Sequence, residues 1–258
     1  MNGRFPALFV SHGAPTMIIE DGPTRNFLRQ LGIHLGRPKG IVCISAHWTT
    51  SEPRVTMHPG PPTIHDFYGF PDELYSLEYP APGDPDLAKR VLTLLRSRNI
   101  AGDMDMNRGF DHGAWAPLML MYPDAGIPVV QLSVQPHRGP ENHLAVGKAL
   151  QPLLDDGVLV LASGGATHNL MDLFGREADA EPLPYAREFA EWLKGAVADG
   201  RTRELLDYVN CAPHAARNHP TPEHFLPLFA AMGGGGTPQL LHDAYTYGVL
   251  SMASFSWQ

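Results

Sequence analysis

Three apolar runs that break into small residues and then reach a histidine constrain this chain more than anything else in it. Ala7-Leu8-Phe9-Val10 leads through Ser11 to His12, and Ile41-Val42-Cys43-Ile44 leads through Ser45-Ala46 to His47. Val158-Leu159-Val160-Leu161 leads through Ala162-Ser163-Gly164-Gly165-Ala166-Thr167 to His168. None of the runs alternates apolar with polar residues, which is how a strand reads when both faces are covered in a parallel sheet. Each histidine is expected just past the carboxyl end of its strand. Open α/β sheets bind ligands along that edge, so the three imidazoles are placed to converge on one metal ion.

The intervening segments supply the helices such a sheet needs. Leu87, Val91, Leu94 and Leu95 share one helical face while Lys89, Arg90 and Arg96 reach solvent. Further helices are expected around Leu144 to Leu154 and around Tyr185, Phe189, Trp192 and Ala196. Arg54 to Met57, Ile127 to Val134 and Gly248 to Phe255 read as additional strands, and Gly109 to Trp115 reads as a turn. The expectation is a single α/β domain over residues 1–258. Its central, mostly parallel sheet is flanked by helices on both faces, with a metal site at the carboxyl ends of the strands. A Pro-rich, aromatic loop from Pro59 to Pro82 stands out, because loops of that length inside a compact domain are commonly functional.

Composition narrows the function classes. With 258 residues and 43% hydrophobic content the chain can bury one sizeable core. Its net charge of −8 is spread without like-sign blocks, which argues against nucleic acid as a partner. Two cysteines, Cys43 and Cys211, support neither a disulfide framework nor a Cys-rich zinc site and fit a reducing cytoplasm. The first residues lack a signal-peptide layout, and no run is long enough to span a bilayer, so no membrane association is expected. Of the thirteen histidines, His34, His58, His137, His143, His214 and His242 are expected to be surface or satisfied core residues.

A metal that keeps open positions needs about three neutral imidazoles or carboxylates on rigid supports. His12 is followed by Gly13 and Pro15, which allow close backbone approach. His47 is followed by Trp48, whose indole would wall off water. A third region runs from His219 to Leu228. Pro222 suits the first turn of a helix, with Glu223 and His224 near its amino end. Adjacent helical residues point about 100° apart, so one of the pair faces the metal. Glu223 would complete a two-histidine, one-carboxylate triad, and His224 an all-histidine site.

Six blocks carry a resemblance. They are Ser11-His12-Gly13-Ala14-Pro15, Ser45-Ala46-His47-Trp48, Pro62 to Pro71 with His65-Asp66-Phe67-Tyr68 inside it, Phe110 to Trp115, Thr167-His168-Asn169-Leu170, and Pro222 to Leu228. In this order they resemble the class III extradiol ring-cleavage dioxygenases, and within them the DOPA-dioxygenase-like branch. The resemblance implies a non-haem Fe(II) enzyme that opens a catechol-type ring with O2 to a muconic semialdehyde. It implies His12, His47 and His224 as metal ligands with Glu223 as the alternative third. His168 is implied as the acid/base histidine or an additional ligand, and His112 as a catalytic and substrate-contacting residue. The residues themselves add that a neutral imidazole such as His168 can take a phenolic proton and return it. In the Pro59–Pro82 loop, His65 and Tyr68 are the side chains best able to touch the substrate. The expected partners are a small aromatic diol and O2, with the oligomeric state unspecified by the sequence.

Two other readings compete. Zinc outcompetes iron(II) at most nitrogen and oxygen sites, so zinc is a plausible occupant of the purified protein, and a zinc hydrolase would use Glu223 as its base. A non-catalytic metal-binding module on the same fold is the other. No Gly-x-Ser-x-Gly, Gly-x-Gly-x-x-Gly or P-loop pattern points elsewhere.

Overall fold

The structure is a computed structural model that describes residues 4–258. In chain order the elements are β1 (Ala7–Ser11), α1 (Pro23–Leu35), β2 (Gly40–Thr49), β3 (Arg54–Thr56), α2 (Asp72–Tyr75), α3 (Pro85–Ser97), β4 (Asp103–Asp105), α4 (His112–Met121), β5 (Val129–Val134) and α5 (Gly139–Asp155). There follow β6 (Val158–Gly164), α6 (Pro184–Ala198), α7 (Thr202–Leu206), α8 (Tyr208–Cys211), α9 (Ala215–Asn218), α10 (Leu226–Gly233), β7 (Pro238–His242), β8 (Tyr245–Thr246), β9 (Leu250–Ser251) and β10 (Ser254–Trp257).

Eight strands form one sheet in the order β4-β3-β5-β2-β6-β1-β10-β7. The central four, β5-β2-β6-β1, are parallel, with Ile41 opposite Val129, Gly40 opposite Val158 and Ala7 opposite Val160. Antiparallel pairings join β3 to β5, β10 to β1 and β7 to β10 at the flanks. The three unalternating runs are thus the middle of the sheet. Because successive side chains point to opposite faces, each run feeds two cores. Leu8, Val10, Ile41, Cys43, Leu159 and Leu161 pack with α1 and α4, whereas Ala7, Phe9, Val42, Ile44, Val160 and Ala162 pack with α3, α5, α6 and α10. This is the α/β architecture with helices on both faces that the sequence predicts.

Local chemistry starts the helices that matter most. Asp84 caps α3 by accepting from the Asp86 and Leu87 amides, with Pro85 in the first turn. Asp111 caps α4 through the Ala114 amide. On the other face α5 and α10 touch backbone to backbone: a Cβ built on Gly147 would lie 2.0 Å from the Ala230 carbonyl oxygen. Gly147→Ala therefore overpacks this contact, and we expect urea denaturation to show a loss of about 1–3 kcal/mol.

Four local readings are corrected. The segment from Gly109 to Trp115 is not all turn: the Asp111 cap starts a helix at His112 that runs through Trp115 and Pro117 to Met121. The Pro222 helix begins four residues later, at Leu226, because the Phe225 and Leu226 amides both close onto the Pro222 carbonyl and hold Glu223 and His224 in a turn. The final strand is two pieces, β9 and β10, which belong to different sheets. Finally, His47 lies inside β2 and not past its end, although the pairing of β2 with β6 stops at Ser45 and its register with β5 shifts after Ile44.

Candidate metal centre

β1, β2 and the turn before α10 bring His12, His47 and His224 together. The Nε2 atoms of His12 and His47 are 3.0 Å apart, and those of His47 and His224 are 3.2 Å apart. The partners of the other ring nitrogens assign the tautomers. Ser163 Oγ donates its hydrogen to the Gly113 carbonyl, so at 2.9 Å it must accept from His12 Nδ1–H. That carbonyl is free because the residue four positions on is Pro117, which has no N–H to return to it. His224 Nδ1 donates to Glu223 Oε1 at 3.2 Å, and His47 Nδ1 lies 3.3 Å from Asp66 Oδ2. With each Nδ1 turned outward to an acceptor, three Nε2 lone pairs face one another.

Such an arrangement repels itself unless a cation sits among the lone pairs. Nitrogens each about 2.0–2.1 Å from one ion lie about 3 Å apart, which is the spacing found. Burial, followed by the charges of neighbouring histidines, holds His12 and His224 well below the ordinary histidine range. Burial and then His112 bring His47 down to about 3, against the opposing pull of Asp66. All three are neutral bases at pH 7, the form a metal requires. The donor set fits a divalent transition-metal ion.

His168 and His112 stand beside this trio. The His168 ring stacks on His224 with centroids 3.4 Å apart and planes at 7°, and burial lowers its pKa to about 4. Its ring nitrogens group with those of His224 and with Glu223, outside the set formed by His12, His47 and His224. His112 opens α4, and both its amide and its Nδ1 lie 2.9 Å from Asp66 Oδ1. Burial pushes the Asp66 carboxyl up, but the hydrogen bonds and charge of His112 outweigh it and bring the group down to about 2. Glu223 accepts from Thr221 Oγ1 at 2.8 Å as well as from His224, so its Oε1 is engaged by the protein and not directed at the three Nε2 atoms.

A cavity of about 460 Å³ opens over these groups. It is bounded by the Gly13-Ala14-Pro15 turn, by Phe67, Tyr68 and Phe70, by Leu170, Leu173 and Phe174, and by Tyr247, Leu250 and Met252. Tyr68 lines it as expected. Trp48 and His65 do not. Strand alternation turns Trp48 to the face of β2 opposite His47, where it is buried under the Arg108 guanidinium 5.5 Å from its ring centre. His65 donates from Nε2 to the Leu77 carbonyl at 2.9 Å and packs edge-on against Phe67 and Trp115, behind the cavity wall.

Further residues around the three imidazoles hold the centre. Asp111, fully buried, accepts from Ser45 Oγ at 2.6 Å, the Ala114 amide at 3.2 Å, Arg108 at 2.9 Å and Gln131 Nε2. Ser45 Oγ lies 3.2 Å from the His47 amide, and Arg108 also donates to the His47 carbonyl at 3.2 Å, so the network fixes the His47 backbone from both sides. His219 donates from Nε2 to the Ala166 carbonyl at 3.0 Å, two residues before His168. Asn169 caps the short turn after His168 through the Met171 amide. His143 is the satisfied core residue expected, bonded to Gly139 and Gln135. Among the described residues no helix is long and apolar enough to cross a membrane.

Comparison with known proteins agrees with this geometry. The chain is 43% identical over 257 residues to "4,5-DOPA dioxygenase extradiol" of Beta vulgaris, spanning 96% of this chain and 95% of that one. It is 42% identical over 232 residues to the protein of the same name from Escherichia coli K12, spanning 89% and 85%. The crystal structure of an uncharacterized Escherichia coli K12 protein superposes with a TM-score of 0.83 at 36% identity, over 99% of this chain and 100% of that one. Residues 6–255 match the family described as the catalytic LigB subunit of aromatic ring-opening dioxygenase. The chain belongs to that family of metal-dependent enzymes and is an extradiol dioxygenase.

Proposed function

We propose that the protein cleaves a catechol-type ring next to its two hydroxyls. In this reaction one O2 adds both its atoms, the C–C bond beside the diol breaks, and the product is a muconic semialdehyde. The observation that carries the reading is the set of three inward Nε2 atoms with their Nδ1 atoms tied back, beside a cavity that also holds His168 and His112. His12, His47 and His224 hold the metal, taken to be Fe(II). Bound there, a ferrous ion supplies open positions that keep diol and O2 in contact and relays an electron between them.

The chain's own residues do the rest. His168, neutral at pH 7, accepts a phenolic proton at a ring nitrogen and later returns it. His112, with Nδ1 committed to Asp66, presents Nε2 to the substrate oxygens. Asp66 orients both His112 and His47. The apolar walls exclude water from the ring. The same nitrogen set would also accept zinc, which carries no electron between diol and O2. Free Cys43 and Cys211 support a reducing, cytoplasmic setting.

The test is reconstitution with Fe(II) under exclusion of oxygen, addition of substituted catechols, and admission of O2. The expected result is one O2 consumed per ring and a yellow semialdehyde. Oxygen uptake without the yellow product overturns the reading.

A further inference from the structure

The cavity above the metal centre is unusual in what it lacks. Of the described residues that line it, the only one with a fixed charge is Asp66. That carboxylate is already spent: Oδ1 takes the His112 amide and Nδ1, each at 2.9 Å, and Oδ2 faces His47 Nδ1. Two basic residues on the surrounding loops are spent as well. Arg176 donates to the Tyr247 and Glu181 carbonyls, and Arg217 pairs with Asp172 while lying 3.9 Å over the Tyr185 ring. A carboxylate on the substrate would meet no cation in the cavity, and an ammonium would meet no free acid.

What the cavity offers is apolar surface, and that surface continues outward. Tyr68 is 90% exposed, Phe174 79% and Leu170 50%, and all three line the cavity while facing solvent. Large apolar side chains gathered around a mouth and left uncovered mark a place where an apolar ligand completes the surface. Met252, Leu173 and Phe70 extend the same lining inward.

We propose that the ring taken by this site carries an uncharged, apolar substituent of several carbons, held by Tyr68, Leu170, Leu173 and Phe174. The proposal rests on the catechol reading above and goes beyond it in naming the substrate class. It separates this chain from what the relatives' names state, since DOPA carries both a carboxylate and an ammonium group. Each methylene buried against these side chains is worth about fourfold in affinity.

Calorimetric titration of the Fe(II)-loaded protein without oxygen tests it, with 4-butylcatechol, catechol and L-DOPA as ligands. The expected result is that 4-butylcatechol binds at least tenfold more tightly than either of the others. Phe174→Arg, a change at an exposed position that leaves the core intact, should narrow the preference over L-DOPA at least threefold. L-DOPA binding as tightly as 4-butylcatechol, or a preference that Phe174→Arg leaves unmoved, overturns the proposal. Admitting O2 to the same samples separates the two readings. Tight 4-butylcatechol binding with no O2 uptake on any ring counts against ring cleavage and still supports apolar recognition.

Discussion

We expect His47→Ala to strip the proposed metal from the protein. His47 Nε2 faces both partner nitrogens, at 3.0 Å and 3.2 Å, so its loss removes the ligand that the other two share as a neighbour. After Fe(II) reconstitution and dialysis, we expect metal per chain to fall at least tenfold and ring cleavage to fall to background, a loss of about 10³ or more. The side chain is 20% exposed and its backbone is held by Ser45 and Arg108, so the fold should survive, as circular dichroism would show. His168→Ala provides the contrast. Its ring stacks on His224 and stands outside the three-histidine set, so we expect most of the metal to remain while kcat drops by about 10²–10⁴, the usual worth of a general acid/base. Equal metal loss in both variants would make His168 a ligand and end the proposed division of roles.

Asp111→Ala should be the most damaging single change to stability. The carboxylate is wholly buried and answers four donors, and its removal leaves Arg108, Gln131 and Ser45 without their common acceptor. Breaking a buried charged pair from one side costs about 3–5 kcal/mol. In a chain of this size that lowers the melting temperature by roughly 6–15 °C, measurable by calorimetry. Part of the cost also falls on the metal centre, since Ser45 and Arg108 anchor His47. An unchanged melting temperature would mean that water replaces the carboxylate without strain.

The sheet and the meeting of His12 with His47 were legible because they rest on patterns local to the chain, whereas the residues left Glu223 and His224 open and the family resemblance alone implied His224. An unalternating run reports a covered strand, and a strand end reports a position along the sheet edge. What escaped reading depends on side-chain direction or on partners far away in sequence. Trp48 follows a ligand candidate directly, and that adjacency is what turns it to the opposite face. His65 shares a loop with Tyr68, but the Leu77 carbonyl captures it. Asp111 looked like part of a turn because its worth lies in Ser45 and Gln131, which approach it only when β2 and β5 are side by side. The role of Pro117 is of the same kind. It reads as a helix breaker, yet the carbonyl it frees receives Ser163 and through it fixes the tautomer of His12.

The place of β1 in the sheet has a consequence for how the molecule assembles. The first strand of the chain lies between β6 and β10, pairing Ala7 with Val160 on one side and Trp257 on the other. His12 meets Ser163 across 151 positions, and His47 meets His224 across 177. Both contacts are non-local, so the loop-closure entropy must be offset before either forms. A nascent or truncated chain that ends before residue 224 carries six of the eight strands of the main sheet but lacks His224, one of the three clustered imidazoles. On the proposed ligand set, metal binding therefore requires a chain made at least through His224.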